Sequence, residues 1–127
     1  MFSISKEFHF SASHQLHGLP EDHQCSRLHG HNYIVKVTIF NPEVDDVGFI
    51  VDYADLAPVK DYIDDTLDHR HLNDVLQFNS TAEQLARHLH GRVWELVNLP
   101  KGSQVTVGIS ETPKTWANFL GDPDHGN

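Results

Sequence analysis

The chain has one cysteine, one methionine and nine basic residues among 127, and each scarcity excludes something. A single thiol, Cys25, permits no internal disulfide, so the question about it becomes reactivity or metal ligation. Nine Lys and Arg against 18 Asp and Glu leave a formal charge of −9. That balance lacks the field of cations that displaces counterions from nucleic acid, and an anionic ligand would need a local basic patch. No apolar run approaches the roughly 20 residues that span a bilayer. The first residues, Met1-Phe2-Ser3-Ile4-Ser5-Lys6-Glu7-Phe8, alternate apolar and polar instead of forming the apolar stretch of a secretory signal. The expectation is a cytoplasmic chain without a membrane or nucleic-acid partner. Asn79-Ser80-Thr81 fits a glycosylation acceptor, but without such a signal it reads as a helix start.

Histidine is what the sequence has in excess. There are 11 in the chain, and His9, His14, His17, His23, His29 and His31 all fall in the first 31 residues. Imidazole at that density points to metal or proton chemistry. The length and the 39% hydrophobic content suit one domain over residues 1–127, with a frayed tail from about 121 to 127.

Phe2, Ile4, Phe8, Phe10 and Ala12 alternate with polar residues, a strand with one buried face, and His14 has their parity. Residues 15 to 28 lose all periodicity and read as a functional or disordered loop. A second strand carries Tyr33, Val35, Val37 and Ile39 on one face, again with the parity of His29 and His31. Asp52, with Asp55 three residues on, caps a helix whose stripe is Tyr53, Leu56, Val59, Ile63 and Leu67, running out near Asp68-His69. Ser80 and Glu83 form the capping box of a second helix striped by Leu85, Leu89, Val93 and Leu96 and stopped at Leu99-Pro100-Lys101-Gly102. Val105, Val107 and Ile109 then alternate into Glu111, and Thr115, Ala117 and Phe119 make a returning strand. The order ββααββ predicts an antiparallel α+β domain, a four-stranded sheet with two helices on one face.

Four groups of residues carry chemistry. His29-Gly30-His31 puts two imidazoles on one face of a strand, and a third from His14 would complete a three-nitrogen set that leaves a zinc position open. The same spacing also suits ordinary half-buried polar residues. Cys25 lies just upstream as fourth ligand, as catalytic base or nucleophile, or as a small inert hydrophobe. A closed site of one thiolate and three imidazoles, in a non-enzymatic zinc-binding module, competes with the open one. Asp68 beside His69 and His71 is either an oriented carboxylate–imidazole pair or a polar helix end; the pair requires the helix to have stopped there. Glu111 closes an apolar row, either as an exposed strand end or as a buried carboxylate suited to a ligand with two parallel N–H donors.

Together these segments resemble the family of 6-pyruvoyltetrahydropterin synthase and 6-carboxy-5,6,7,8-tetrahydropterin synthase. The resemblance rests on Phe8-His9-Phe10-Ser11-Ala12-Ser13-His14, Cys25-Ser26-Arg27-Leu28-His29-Gly30-His31-Asn32-Tyr33, Gly48-Phe49-Ile50-Val51-Asp52-Tyr53-Ala54-Asp55-Leu56, Leu67-Asp68-His69-Arg70-His71-Leu72-Asn73 and Ser110-Glu111-Thr112. It implies the T-fold and a zinc enzyme acting on 7,8-dihydroneopterin triphosphate. Its zinc ligands would be His14, His29 and His31, its catalytic residues Cys25, Asp68 and His69, and its pterin anchor Glu111. His23 would tune the thiol. Arg27 and Lys36 are the nearest cations for the triphosphate, which magnesium would accompany; the same two residues also read as ordinary solvated surface. Three residues between Cys25 and His29 match the carboxypterin branch, in queuosine synthesis, ahead of the pyruvoyl branch. The resemblance further implies a homohexamer, a dimer of trimers, with active sites between subunits; the region after Pro113 does not align.

Overall fold

The computed structural model describes residues 1–122, so the tail expected to fray lies, from residue 123 on, outside the described residues. The first two strands form a long antiparallel hairpin. β1 (Phe2–His14) pairs with β2 (His29–Asn41) from Phe2↔Asn41 to His14↔His29, so the hairpin is closed at its loop end by two histidines. The period-two pattern decides which face is covered. Phe8, Phe10, Ala12 and His14 on β1 and Tyr33, Val35, Val37 and Ile39 on β2 are buried together, whereas Phe2, at the opposite end, is exposed.

A 3-10 turn (Tyr53–Leu56), helix α1 (Ala57–Tyr62) and a π turn (Ile63–Leu67) make one continuous helical segment. Its start is the one expected: Asp52 accepts from the Ala54 N–H at 2.9 Å and Asp55 from the Asp52 N–H at 3.2 Å. Leu56, Val59, Ile63 and Leu67 are fully buried, while Tyr53 faces solvent. The segment ends when the Asp68 N–H donates to the Ile63 carbonyl and Asp68 turns extended. A short helix, α2 (Leu72–Val75), precedes α3 (Ala82–Leu96), which lays Leu85, Ala86, Leu89 and Val93 on the same sheet face. Leu96, expected in the stripe, is 37% exposed, and Val97 is the residue buried there.

β4 (Gln104–Thr112) pairs antiparallel with β2, and β5 (Thr115–Phe119) returns along β4 with a register shift between Ile109 and Thr112. The expected four-stranded sheet needs correction. Among the described residues the sheet has five strands in the order β3-β1-β2-β4-β5, because β3 (Arg70–His71) runs parallel to β1 at Ala12 and Ser13. Two residues are too few to show a period, so this strand has no signature in the sequence.

The second helix start is also displaced. Thr81, not Ser80, is the N-cap: its side chain accepts from the Gln84 N–H at 3.2 Å. Ser80 is buried and its hydroxyl lies against His14, so it is not available to cap. Thr81→Ala should lower the unfolding free energy by about 1 kcal/mol, the usual cost of a lost N-cap. Urea denaturation measures it, and an unchanged midpoint would return the cap to Ser80.

Candidate metal centre

At the closed end of the β1–β2 hairpin three imidazoles converge. His29 and His31 share the covered face because Gly30, between them, takes the opposite one, and a Cβ at Gly30 would stand 3.3 Å from the Ala12 carbonyl, a tight fit. His14 reaches the same point from β1, its ring centroid 4.5 Å from that of His29 and 5.2 Å from that of His31. One ligand nitrogen from each of the three lies within 4.8 Å of the others.

Hydrogen bonds aim these nitrogens. Nδ1 of His29 faces the Arg27 carbonyl at 2.7 Å, and Nδ1 of His14 faces the Ser80 carbonyl at 3.0 Å. A carbonyl can only accept, so each Nδ1 carries the proton and each Nε2 presents a lone pair. Those two Nε2 atoms stand 3.0 Å apart. Two lone pairs repel at that distance, so the pair needs a Lewis acid or a proton between them. A tetrahedral zinc with bonds of about 2.05 Å would set its nitrogens about 3.3 Å apart, so the donor set fits such an ion. The carbonyls that fix ring tautomers are the outer partners a metal histidine ordinarily has.

Electrostatics favours the same state. Burial, reinforced by the neighbouring His29, pushes the His14 pKa down to about 4, and burial also lowers that of His31. Both rings are therefore neutral near pH 7 and free to bind a cation. Tyr33 stacks on Phe10 and packs edge-on against His14 and His31, forming an apolar floor. From β4, Glu111 brings Oε2 to 3.1 Å from His31 Nε2 and 3.6 Å from His14 Nε2. Burial raises its carboxyl above the usual range. It also lines a cavity of about 210 Å³ with Ala82, Glu83, Thr115 and Ala117. The carboxylate therefore lies at the mouth of the histidine cluster, not at an exposed strand end.

The remaining residues singled out in the sequence occupy other places. Asp68 and His69 form a pair, His69 Nδ1 lying 2.9 Å from the carboxylate, on the outer edge of β1. The Ser11 N–H donates to Asp68 at 2.9 Å and the His69 N–H to the Ser11 carbonyl at 2.7 Å. The first bond is the main cause of the lowered Asp68 pKa. His69 has φ +57°, a conformation L residues rarely adopt, and its side chain is 82% exposed. The helix has thus stopped where the carboxylate–imidazole pair requires.

Cys25 sits half-buried in a 3-10 turn (Gln24–Ser26) of the loop that joins the two hairpin histidines. It is not a member of the three-histidine group, so a closed four-ligand site is not assembled among the described residues. His23 accepts the Cys25 N–H at 3.0 Å. Arg27 and Lys36 are exposed. Ser80, which orients His14 through its carbonyl and hydroxyl, reads in the sequence as a helix cap and not as a member of the site, because a serine before a helix usually is a cap.

His14 should cost the metal-free protein stability as pH falls from 6.5 toward 4, while the raised Glu111 carboxyl acts in the opposite sense. Over that window the unfolded chain takes up a proton at His14 that the folded chain refuses, so the unfolded state gains. The depressed Asp68 carboxyl acts only below its ordinary value of 3.8, outside that window. His14→Gln should reduce the slope of melting temperature against pH, and an unchanged slope would contradict a buried neutral imidazole.

A family model described as 6-pyruvoyl tetrahydropterin synthase matches residues 3–122. A 6-carboxy-5,6,7,8-tetrahydropterin synthase of Bacillus subtilis is 32% identical over 93% of this chain and 84% of its own. A putative 6-pyruvoyl tetrahydrobiopterin synthase of Caenorhabditis elegans is 33% identical over 88% and 89%. The solved 6-pyruvoyl tetrahydropterin synthase of Caenorhabditis elegans superposes with a TM-score of 0.83 at 30% identity, covering 95% of this chain and 96% of that one. With a matching family model over nearly all described residues and the same α+β fold, the chain belongs to the 6-pyruvoyl tetrahydropterin synthase family.

Proposed function

We propose that this chain is a zinc-dependent synthase that converts 7,8-dihydroneopterin triphosphate to 6-carboxy-5,6,7,8-tetrahydropterin, releasing triphosphate and acetaldehyde, in queuosine (7-deazaguanine) synthesis. The observation that carries the reading is the 3.0 Å approach of two Nε2 lone pairs beside His31, in a member of a pterin synthase family. His14, His29 and His31 would hold the zinc. Bound there, it supplies Lewis acidity toward the substrate's side-chain hydroxyls.

The chain's own groups do the rest. Cys25, on the loop between two ligands, takes protons as general base. His69, held by the Asp68 carboxylate, returns them. Glu111 receives the pterin amino group and the adjacent ring N–H, for which a half-buried carboxylate with two parallel acceptors is suited. Arg27, exposed beside the His29 ligand, faces the triphosphate, with magnesium as its counterion.

The dispersed positions of these groups support a site completed between copies. Asp68 and His69 stand on the outer edge of β1, away from the face that carries the histidines. Among the described residues no strand pairs with the outer side of Phe2–Phe10 or with the far side of β5, and such edges favour pairing between chains. Ring closure into trimers, stacked as a homohexamer, is the proposed assembly.

The carboxy product is favoured by the names of the bacterial relatives and by the three residues between Cys25 and His29. The pyruvoyl product is the second reading, favoured by the solved Caenorhabditis elegans neighbour. Incubation of the zinc-loaded protein with dihydroneopterin triphosphate and mass analysis of the pterin separates them. The carboxypterin mass is expected, the pyruvoyl mass would exchange the two readings, and unaltered substrate would end both.

Cys25→Ala should keep its zinc while turnover falls by roughly 10² to 10⁴, the range for a lost general base. Zinc lost together with the thiol would establish the closed, non-enzymatic site instead.

A further inference from the structure

The outer edge of β1 does not end with the sheet. Ser11 is engaged there by Asp68 and His69, and β3 continues the pairing at Ala12 and Ser13. β3 stops at His71, yet the next residues of the same parity remain paired, to side chains. The Gln15 N–H donates to Asn73 Oδ1 at 2.9 Å, and Asn73 Nδ2 donates back to the Gln15 carbonyl at 2.9 Å. Two residues on, the His17 N–H donates to Asn79 Oδ1 at 3.0 Å and Asn79 Nδ2 to the His17 carbonyl at 3.0 Å. Each carboxamide thus does what a peptide group of a further strand would do, satisfying one donor and one acceptor at every second residue.

This side-chain ladder has a load on its other side. The Leu16 N–H donates to the Cys25 carbonyl at 3.2 Å, and Gln15 Nε2 donates to the Ser26 carbonyl at 2.9 Å. The turn bearing the thiol therefore hangs from residues 15 and 16, which the two asparagines hold. Asn73 belongs to α2 and Asn79 immediately precedes Ser80, whose carbonyl fixes His14, so the loop and the metal ligand are referred to one rigid lead-in of α3.

We infer that Asn73 and Asn79 are positioning residues: their carboxamides extend β1 beyond the sheet and set the place of Cys25 relative to the three histidines. The inference rests on the reading in which Cys25 is the reactive group, but its first readout does not use the pterin substrate.

The test uses Asn73→Ala and Asn79→Ala in the full-length, zinc-loaded protein, with Asn73→Asp and Asn79→Asp as variants that keep the acceptor and lose the donor. Alkylation of Cys25 by iodoacetamide should accelerate roughly tenfold in the alanine variants, the scale of losing a pair of hydrogen bonds, and less in the aspartates. Exchange of the Leu16 amide should accelerate in parallel, with zinc still at one per chain. Turnover should fall by a similar factor at unchanged KM. Alkylation and Leu16 exchange at wild-type rates, with faster exchange only at Gln15 and His17, would overturn the inference. Alkylation accelerated in a protein that leaves dihydroneopterin triphosphate untouched would uphold the clamp and instead overturn the proposed reaction. If an alanine variant fails to fold, the aspartate at the same position gives the same readouts.

Discussion

The hydrogen bond from His14 Nδ1 to the Ser80 carbonyl is the constraint on which the rest of the centre depends. A fully buried imidazole has two nitrogens and nowhere to turn, and committing one of them to a carbonyl leaves the other as a lone pair in a fixed direction. That direction points at His29, whose own Nδ1 is committed to the Arg27 carbonyl. The fold supplies the rest of the arrangement. The register that sets His14 opposite His29 is the last pair of a long hairpin whose other pairs bury Phe8, Phe10, Tyr33 and Val35, so slipping the histidines apart would expose the whole core face. The position of Ser80 is in turn set by α3, which packs across β4 and β5 on the same face. Core packing and ligand geometry are thus one structure, which brings the two Nε2 atoms to 3.0 Å, where a Lewis acid or a proton is needed between them.

What the sequence discloses and what it hides divide along physical lines. Period-two alternation makes β1, β2 and β4 legible, together with the parity that brings His14, His29, His31 and Glu111 onto one face. Helical spacing likewise discloses Leu56, Val59, Ile63 and Leu67, and the Asp52–Asp55 box marks where that segment begins. Features made by single contacts have no period to read. β3 is two residues long; Ser80 looks like a cap because a serine before a helix usually is one, and only tertiary structure shows that His14 takes its hydroxyl. Asn73 and Asn79 are ordinary polar residues in the sequence, and their role appears only when the backbone of Gln15 and His17 is found opposite them. The Asp68–His69 contact is intermediate: the residues are adjacent, but whether they touch depends on a helix ending at Leu67.

The centre is unevenly built, and that unevenness matters for chemistry. His14 and His31, neutral near pH 7, and a raised carboxyl form with His29 a pre-aimed corner, whereas Cys25 stands on a loop and His69, paired with Asp68, stands exposed at an edge. Groups that hold a cation need rigidity; groups that move protons need access to a substrate and, in the proposed assembly, to a neighbouring chain. The arrangement predicts an ion held by protein through nitrogen alone, with a coordination position left open. X-ray absorption at the zinc edge of the metal-loaded protein measures that directly. Three imidazole nitrogens and one light solvent ligand at about 2.0 Å, without sulfur, are the expected shell; a scatterer at about 2.3 Å, the zinc–thiolate distance, would place Cys25 on the metal and contradict the open centre.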